Sequence, residues 1–244
     1  MKIFMKKIIY DLGCHNGSNI PYYLLKADLV VAVDANPKLC EIIKYKFKKE
    51  ILEKRLIVEN CVISHEVSGQ KKSFYIFEEL DMCSTVYPAT ESYFKNKKIE
   101  KSDYKHTEVI SKNILDLIYN FGDPFYIKID LESYDHIILR EIFNYKIYPK
   151  YISSECHNLE VFHLMINNEK YNFFKLSKGN EVHLEKYQIK NLSGIEINYE
   201  FPPHSAGPFG EDIKGNWLPK DIFNLQFFLN GGPSWVDIHA LRSD

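Results

Sequence analysis

Asp11-Leu-Gly13-Cys-His-Asn-Gly17 is the stretch that decides how this chain folds. It follows the apolar run Ile8-Ile9-Tyr10 and precedes a helix expected over residues 20–26, with Pro21 suited to its first turn. The pattern is a strand, a glycine-bearing loop and a helix, an arrangement that brings backbone and helix N-terminus up to a ligand. Working outward, the next apolar run, Leu29-Val-Val-Ala-Val33, ends in Asp34. That acid lies about 20 residues after the first glycine, where a carboxylate can hold the two hydroxyls of an adenosine ribose. Loop and acid together point to an adenosyl cofactor.

The loop chemistry separates the cofactors. A site for a dinucleotide pyrophosphate presents backbone N–H groups and avoids an anion beside its first glycine. Here Asp11 stands two residues ahead of Gly13, and the spacing is Asp-x-Gly-x-x-x-Gly, not Gly-x-Gly-x-x-Gly. S-adenosylmethionine has no phosphate, and its ammonium and sulfonium charges suit an acidic loop. It is the cofactor expected. The plainer alternative is that Asp11 caps the following helix region and Gly13 makes a turn.

Apolar runs alternate with amphipathic stretches as in βαβ units. Strands are expected over 8–12, 29–34, 55–64, 74–77, 125–131, 151–155, 173–176 and 234–240. Helices are expected over 20–26, 37–53, 114–119 and 135–143. The segment 78–105 reads as a surface loop or lid, and 202–219, rich in proline and glycine, as irregular chain. The fold class is therefore α/β, with a mainly parallel central sheet and helices on both faces. One domain over 1–244 is expected, with its cofactor half at about 8–64 and acceptor-side elements at about 78–124 and 200–222.

Composition narrows the class of function. The 244 residues are 45% hydrophobic, ample for one large core. Formal net charge is −2 and there is no long basic run, which argues against a nucleic-acid partner. The five cysteines are odd in number, widely spaced and include no C-x-x-C pair, so neither a disulfide framework nor a zinc ribbon is expected. No apolar stretch has the roughly 18 to 20 uncharged residues that span a bilayer. The expectation is a cytoplasmic protein with reduced thiols.

The other informative stretch is Lys128-Ile-Asp130-Leu-Glu132. A central strand of a doubly covered sheet should be nearly unbroken in apolar residues. Alternation instead puts three charges on one face, costly unless they are paired or face a polar cavity. Such a cavity lies beyond the carboxyl ends of the strands. Asp11, Asp34, Asp130, Glu132 and Glu155 all fall at that rim. Lys128 could equally serve as an internal ion pair that fixes its strand. His157, two residues after Glu155, and His204 in the irregular segment are candidate general bases, as is Asp130. Glu132 and Glu155 are candidates to bind or orient an acceptor. His157 and the rim acids lack a metal-ligand spacing, so no metal is expected.

These residues resemble the FkbM family of S-adenosylmethionine-dependent methyltransferases. The matching stretches are Asp11–Gly17, Val33-Asp-Ala-Asn-Pro37, Asn60-Cys-Val-Ile-Ser64, Cys83-Ser-Thr85, Lys128-Ile-Asp-Leu-Glu132 and Ile152-Ser-Ser-Glu155. Gly207-Pro-Phe-Gly-Glu-Asp212 and Trp235-Val-Asp-Ile-His-Ala240 are also similar to segments of some members. The chain departs from the family's pattern at Ser133, where glycine is usual, and at Asp34, where glutamate is usual.

The resemblance implies a class I methyltransferase fold, Rossmann-like, and methylation of a hydroxyl on a sugar, glycan or sugar-containing small molecule. By position, Gly13 and Gly17 would form the loop under the methionine portion, with Asp34 and Asn36 on the ribose side. Cys61 and Val62 would flank the adenine, Ser84 would lie near the methionine end, and Asp130 closest to the transferred methyl. The rival expectations are a dinucleotide-dependent oxidoreductase and a non-catalytic module that only binds an adenosyl cofactor.

Overall fold

The structure is a computed structural model and describes residues 6–77, 81–86, 104–179, 181–203 and 205–243. The first half opens as β1 (Ile8–Leu12), α1 (Ile20–Lys26), β2 (Leu29–Asp34), α2 (Pro37–Lys46), α3 (Lys48–Leu52) and β3 (Leu56–Asn60). It continues through β4 (Val62–Ser64), β5 (Lys71–Phe77), β6 (Tyr104–Asn113), α4 (Ile114–Phe121) and β7 (Tyr126–Ile129). The second half has α5 (Asp135–Asn144), β8 (Tyr151–Glu155), α6 (Leu159–Ile166), β9 (Tyr171–Ser177) and a hairpin of β10 (Lys186–Lys190) and β11 (Glu196–Glu200). It closes with β12 (Leu218–Pro219), α7 (Lys220–Leu229) and β13 (Asp237–Arg242).

The main sheet runs β12-β9-β13-β8-β7-β1-β2-β3. The pairs β3/β2, β2/β1, β1/β7 and β7/β8 are parallel, whereas β13 runs antiparallel between β8 and β9. A final antiparallel strand inserted beside the last parallel one is the arrangement of the Rossmann-like class I methyltransferase fold. Strand order reverses between β1 and β7, so a crevice opens at their carboxyl ends.

Period-2 alternation feeds two cores. On one face Tyr10, Leu12, Val31, Val33, Ile127, Ile129, Ile152 and Ile238 pack on α4, α5, α6 and α7. On the other, Ile9, Val30, Ala32 and Tyr126 meet α1 and α2. The β10–β11 hairpin joins this second cover through Tyr187 and Ile189. Phe209 is the anchor of the Pro/Gly-rich segment. Its ring stacks on Tyr126 at 4.1 Å, and Tyr22 Oη donates to Asp212 Oδ2 at 2.7 Å. The segment is irregular as expected, yet it is bolted into the aromatic core.

Several boundaries differ from the sequence expectation. The helix expected over 37–53 is two, because Phe47 leaves helical geometry (φ −111°, ψ 30°) between α2 and α3. The strand expected over 55–64 divides at Cys61. There β3 stays with the main sheet, while β4 pairs with β6 in a separate three-stranded sheet. The last strand begins at Asp237 instead of Ser234. Of the expected loop 78–105, residues 78–80 and 87–103 lie outside the described residues. Asp81–Cys83 forms a 3-10 turn, and Thr85 exchanges backbone hydrogen bonds with Tyr75. No described helix is long and apolar enough to cross a membrane.

Candidate active site

The crevice at the β1/β7 reversal is a cavity of about 530 Å³. Its walls are built from three rims. The first is the loop after β1. Gly13 and Cys14 donate their N–H groups to the Val33 carbonyl at 2.9 and 3.0 Å, folding the loop over the end of β2. Gly13 adopts φ +82°, and a Cβ there would sit 1.7 Å from the Asp130 carbonyl oxygen. Only glycine allows that approach. Gly17, at φ +72°, does not line the cavity; its missing side chain makes room for Ile20 and Ile43.

Asp34 forms the second rim. Its Oδ2 accepts the His15 N–H at 2.8 Å and its Oδ1 accepts the Asn36 N–H at 2.7 Å. Burial pushes its carboxyl up to about 6, against the pull of those two hydrogen bonds. Asn36 faces away from the cavity: its side-chain oxygen caps α2 by accepting the Lys38 N–H at 3.1 Å. Cys61, Val62, Ile63 and Phe74 make the apolar wall beside Asp34, and Met82–Val86 adds Ser84 to the lining.

The third rim carries the charge. Strand geometry stops at Ile129, and the next residues turn sharply. Glu132 (φ +48°) and Ser133 (φ +79°) both lie in the left-handed region. Asp135 holds this turn by accepting the Leu131 and Ser133 N–H groups at 3.0 and 3.1 Å, and Thr85 Oγ1 donates to the Glu132 carbonyl at 3.0 Å. Consecutive left-handed non-glycine residues are strained and persist only where the surroundings hold them. The position where the resembling family carries glycine is one of these two.

The buried Lys128 lies beneath this rim, with Nζ 2.9 Å from Asp130 Oδ2 and 3.7 Å from Asp11 Oδ1. The structure places Lys128 in the internal ion pair, and it is not among the residues that line the cavity. Asp11 is buried behind Gly13 and is not among the lining residues, so its charge acts through Lys128. Burial raises the Asp11 carboxyl to about 6, opposed by Lys128.

Asp130 and Glu155 are hydrogen-bonded to each other. Burial and the neighbouring Asp130 and Glu132 charges push Glu155 well above the usual carboxylate range. Burial acts on Asp130 in the same sense but is outweighed by Lys128 and by the hydrogen bond from Glu155, leaving Asp130 low. Asp130 therefore stays ionised and Glu155 holds a proton. His157 Nε2 lies 2.7 Å from Glu155 Oε2 and 3.9 Å from Glu132 Oε2.

Of the residues singled out in the sequence, Gly13, Asp34, Cys61, Val62, Ser84, Asp130, Glu155 and His157 line this one cavity, as does Glu132. Asp11, Gly17 and Asn36 support it from behind, and His204 lies outside the described residues. Ser205 and Ala206 bring the Pro/Gly-rich segment to the wall. The sequence reading assigned no role to Asp237, which also lines the cavity. Its signal was present: an acid opening the otherwise apolar Asp237-Ile-His-Ala240, opposite Glu155 in the β13/β8 register.

No protein-family model matches the chain, and no curated protein matches it. Solved structures do. Methyltransferase FkbM from Methylobacillus flagellatus KT is 13% identical over 71% of this chain, with a TM-score of 0.43. This chain spans only 40% of that protein's length. Precorrin 8W decarboxylase from Methanobacterium thermoautotrophicum is 11% identical over 98% of this chain and 82% of its own, at a TM-score of 0.42. The C-terminal domain of precorrin-6Y C5,15-methyltransferase from Rhodobacter capsulatus is 8% identical over 98% and 81%, also at 0.42.

Proposed function

We propose that this chain is an S-adenosylmethionine-dependent O-methyltransferase acting on a hydroxyl of a sugar, glycan or sugar-containing small molecule. The observation that carries the reading is the pairing of Asp34 and Asp130 across one cavity, joined by a glycine loop that lacks the dinucleotide spacing. The residues fit the cofactor. Gly13 lets the loop close against the Asp130 carbonyl at the cavity wall, Asp34 keeps lone pairs for ribose hydroxyls, and Cys61, Val62, Ile63 and Phe74 offer an apolar wall for adenine. When bound, S-adenosylmethionine supplies an activated methyl group on a sulfonium.

The chain's own residues then have two tasks. The first is positioning, which can supply on the order of 7 to 11 kcal/mol. Glu132, His157 and Tyr134 line the wall where an acceptor hydroxyl would be oriented. The second is proton removal. Asp130 is ionised and takes the hydroxyl proton, Lys128 holds its carboxylate in place, and the Glu155 hydrogen bond fixes its orientation. The cavity's mixture of carboxylates with Tyr134 and Trp235 suits a hydroxylated, ring-shaped acceptor.

The test is formation of S-adenosylhomocysteine across a panel of sugar nucleotides and glycans. Asp130→Asn should lower turnover about 10²-fold or more, as loss of a general base does, while cofactor affinity stays within a few-fold. Unchanged turnover would remove Asp130 from the chemistry.

A further inference from the structure

Glu132, Glu155 and His157 come from the strained turn after β7, the end of β8 and the loop beyond it, and they converge on one point. One donor atom from each lies within 4.8 Å of the others. In octahedral coordination, metal–ligand bonds of about 2.1 Å put neighbouring donors roughly 3.0 Å apart and opposed donors about 4.2 Å apart. The observed separations of 2.7 and 3.9 Å from His157 Nε2 are within a few tenths of an ångström of those two values.

A second observation is independent of that cluster. Asp237 is only 8% exposed, lines the same cavity and faces Glu155 across the β13/β8 ladder. Among the described residues its carboxylate has neither a hydrogen bond nor an ion pair. A buried acid without a partner is costly, and here it stands beside another acid that is 4% exposed. The nearby Lys128 is already engaged with Asp130 and Asp11. A cation from outside the chain would pair with this wall, displacing the proton that Glu155 otherwise holds.

We propose that Glu132, Glu155 and His157 form a divalent-metal site, with Asp237 as its adjoining acid. One imidazole and two carboxylates suit manganese, iron or zinc better than magnesium or calcium, which favour oxygen ligands alone. Such an ion would coordinate an acceptor oxygen and make its hydroxyl more acidic. The site stands on these side chains and not on the methyl-transfer reading.

The experiment is titration of the full, tag-free chain, stripped with chelator, with Mn²⁺ alone, followed by calorimetry and by loss of the free-ion EPR signal. The expected result is one saturable ion per chain. Glu132→Gln and His157→Gln should each weaken binding about tenfold or more, and Asp237→Asn should weaken it less, with thermal melts confirming the fold. If His157→Gln fails to fold, Glu132→Gln is decisive, because its half-buried side chain keeps its shape as the amide. No saturable Mn²⁺ uptake, or uptake that both variants leave unchanged, would overturn the site. Cofactor binding without metal uptake would leave the methyl-transfer reading standing; metal uptake without cofactor binding would do the reverse.

Discussion

The two sides of the cavity solve the same electrostatic problem differently. On the β1–β2 side, Asp34 has a backbone N–H on each oxygen, and the loop that supplies one of them is left-handed at Gly13, His15 and Gly17. On the β7–β8 side, acids lie against one another, and Glu132 and Ser133 take left-handed backbone conformations without being glycine. One side is finished by its own main chain. The other keeps an excess of carboxylate, as a surface does when its compensating charge arrives with a ligand. On the proposed methyl-transfer reading, the cofactor suits the satisfied side and the acceptor chemistry the charged one.

Breaking the satisfied side should have the largest effect. Gly13→Ala puts a methyl group into the Asp130 carbonyl and forces a left-handed alanine, together costing about 3 kcal/mol or more. The expected outcome is a melting temperature lowered by roughly 6 to 12 °C for a chain of this size, with cofactor binding lost by calorimetry. A variant that melts and binds like the parent would mean the loop does not press on β7.

A pH series sharpens the comparison at intermediate size. Burial raises Asp11 and Asp34 to about 6 and Asp135 and Asp237 to about 7. Between those values and the ordinary carboxylate range near 4, the folded chain binds more protons than the unfolded one. Stability from these groups therefore falls as pH rises through 6 to 7. His239, held down to about 3 chiefly by burial, works the other way, since its unfolded form gains a proton below about 6.5. The carboxylates outweigh it, so melts should show on the order of 1 kcal/mol more stability at pH 6 than at pH 8. A stability that climbs steadily from pH 6 to pH 8 would contradict the buried acids.

The smallest effect belongs to the strained turn. Ser133→Gly should relieve the left-handed serine and stabilise by about 1 kcal/mol, or roughly 2 to 4 °C. A lower melting temperature would show that the Ser133 side chain, and not the backbone, secures the turn.

The satisfied side was largely legible in the sequence because its signals are local. Strands 8–12 and 29–34 and the helix 20–26 fall at their expected bounds. The charged side was legible in its residue types but not in its shape. Alternation placed Lys128, Asp130 and Glu132 on one face, but the strand ends at Ile129 and the rest is turn.

What escaped had weak or distant causes. The strand β6, Tyr-Lys-His-Thr-Glu-Val-Ile-Ser-Lys-Asn, is too polar to announce itself and forms by pairing with β5 and β4. The helix α6, Leu-Glu-Val-Phe-His-Leu-Met-Ile, is absent from the expected elements, and its local signal is the Asn158 cap on Glu160 and Val161. The hairpin β10–β11 does alternate, with Tyr187 and Ile189 turned inward, but that period was not read as a strand. The convergence of Glu132, Glu155 and His157 has no sequence spacing at all, because it is made by the sheet register and one strained turn.

The most direct test of the account is calorimetric titration of the purified chain with S-adenosylmethionine and, separately, with NAD and NADP. The account predicts saturable micromolar binding of S-adenosylmethionine alone. Saturable binding of a dinucleotide, with none of S-adenosylmethionine, would contradict it.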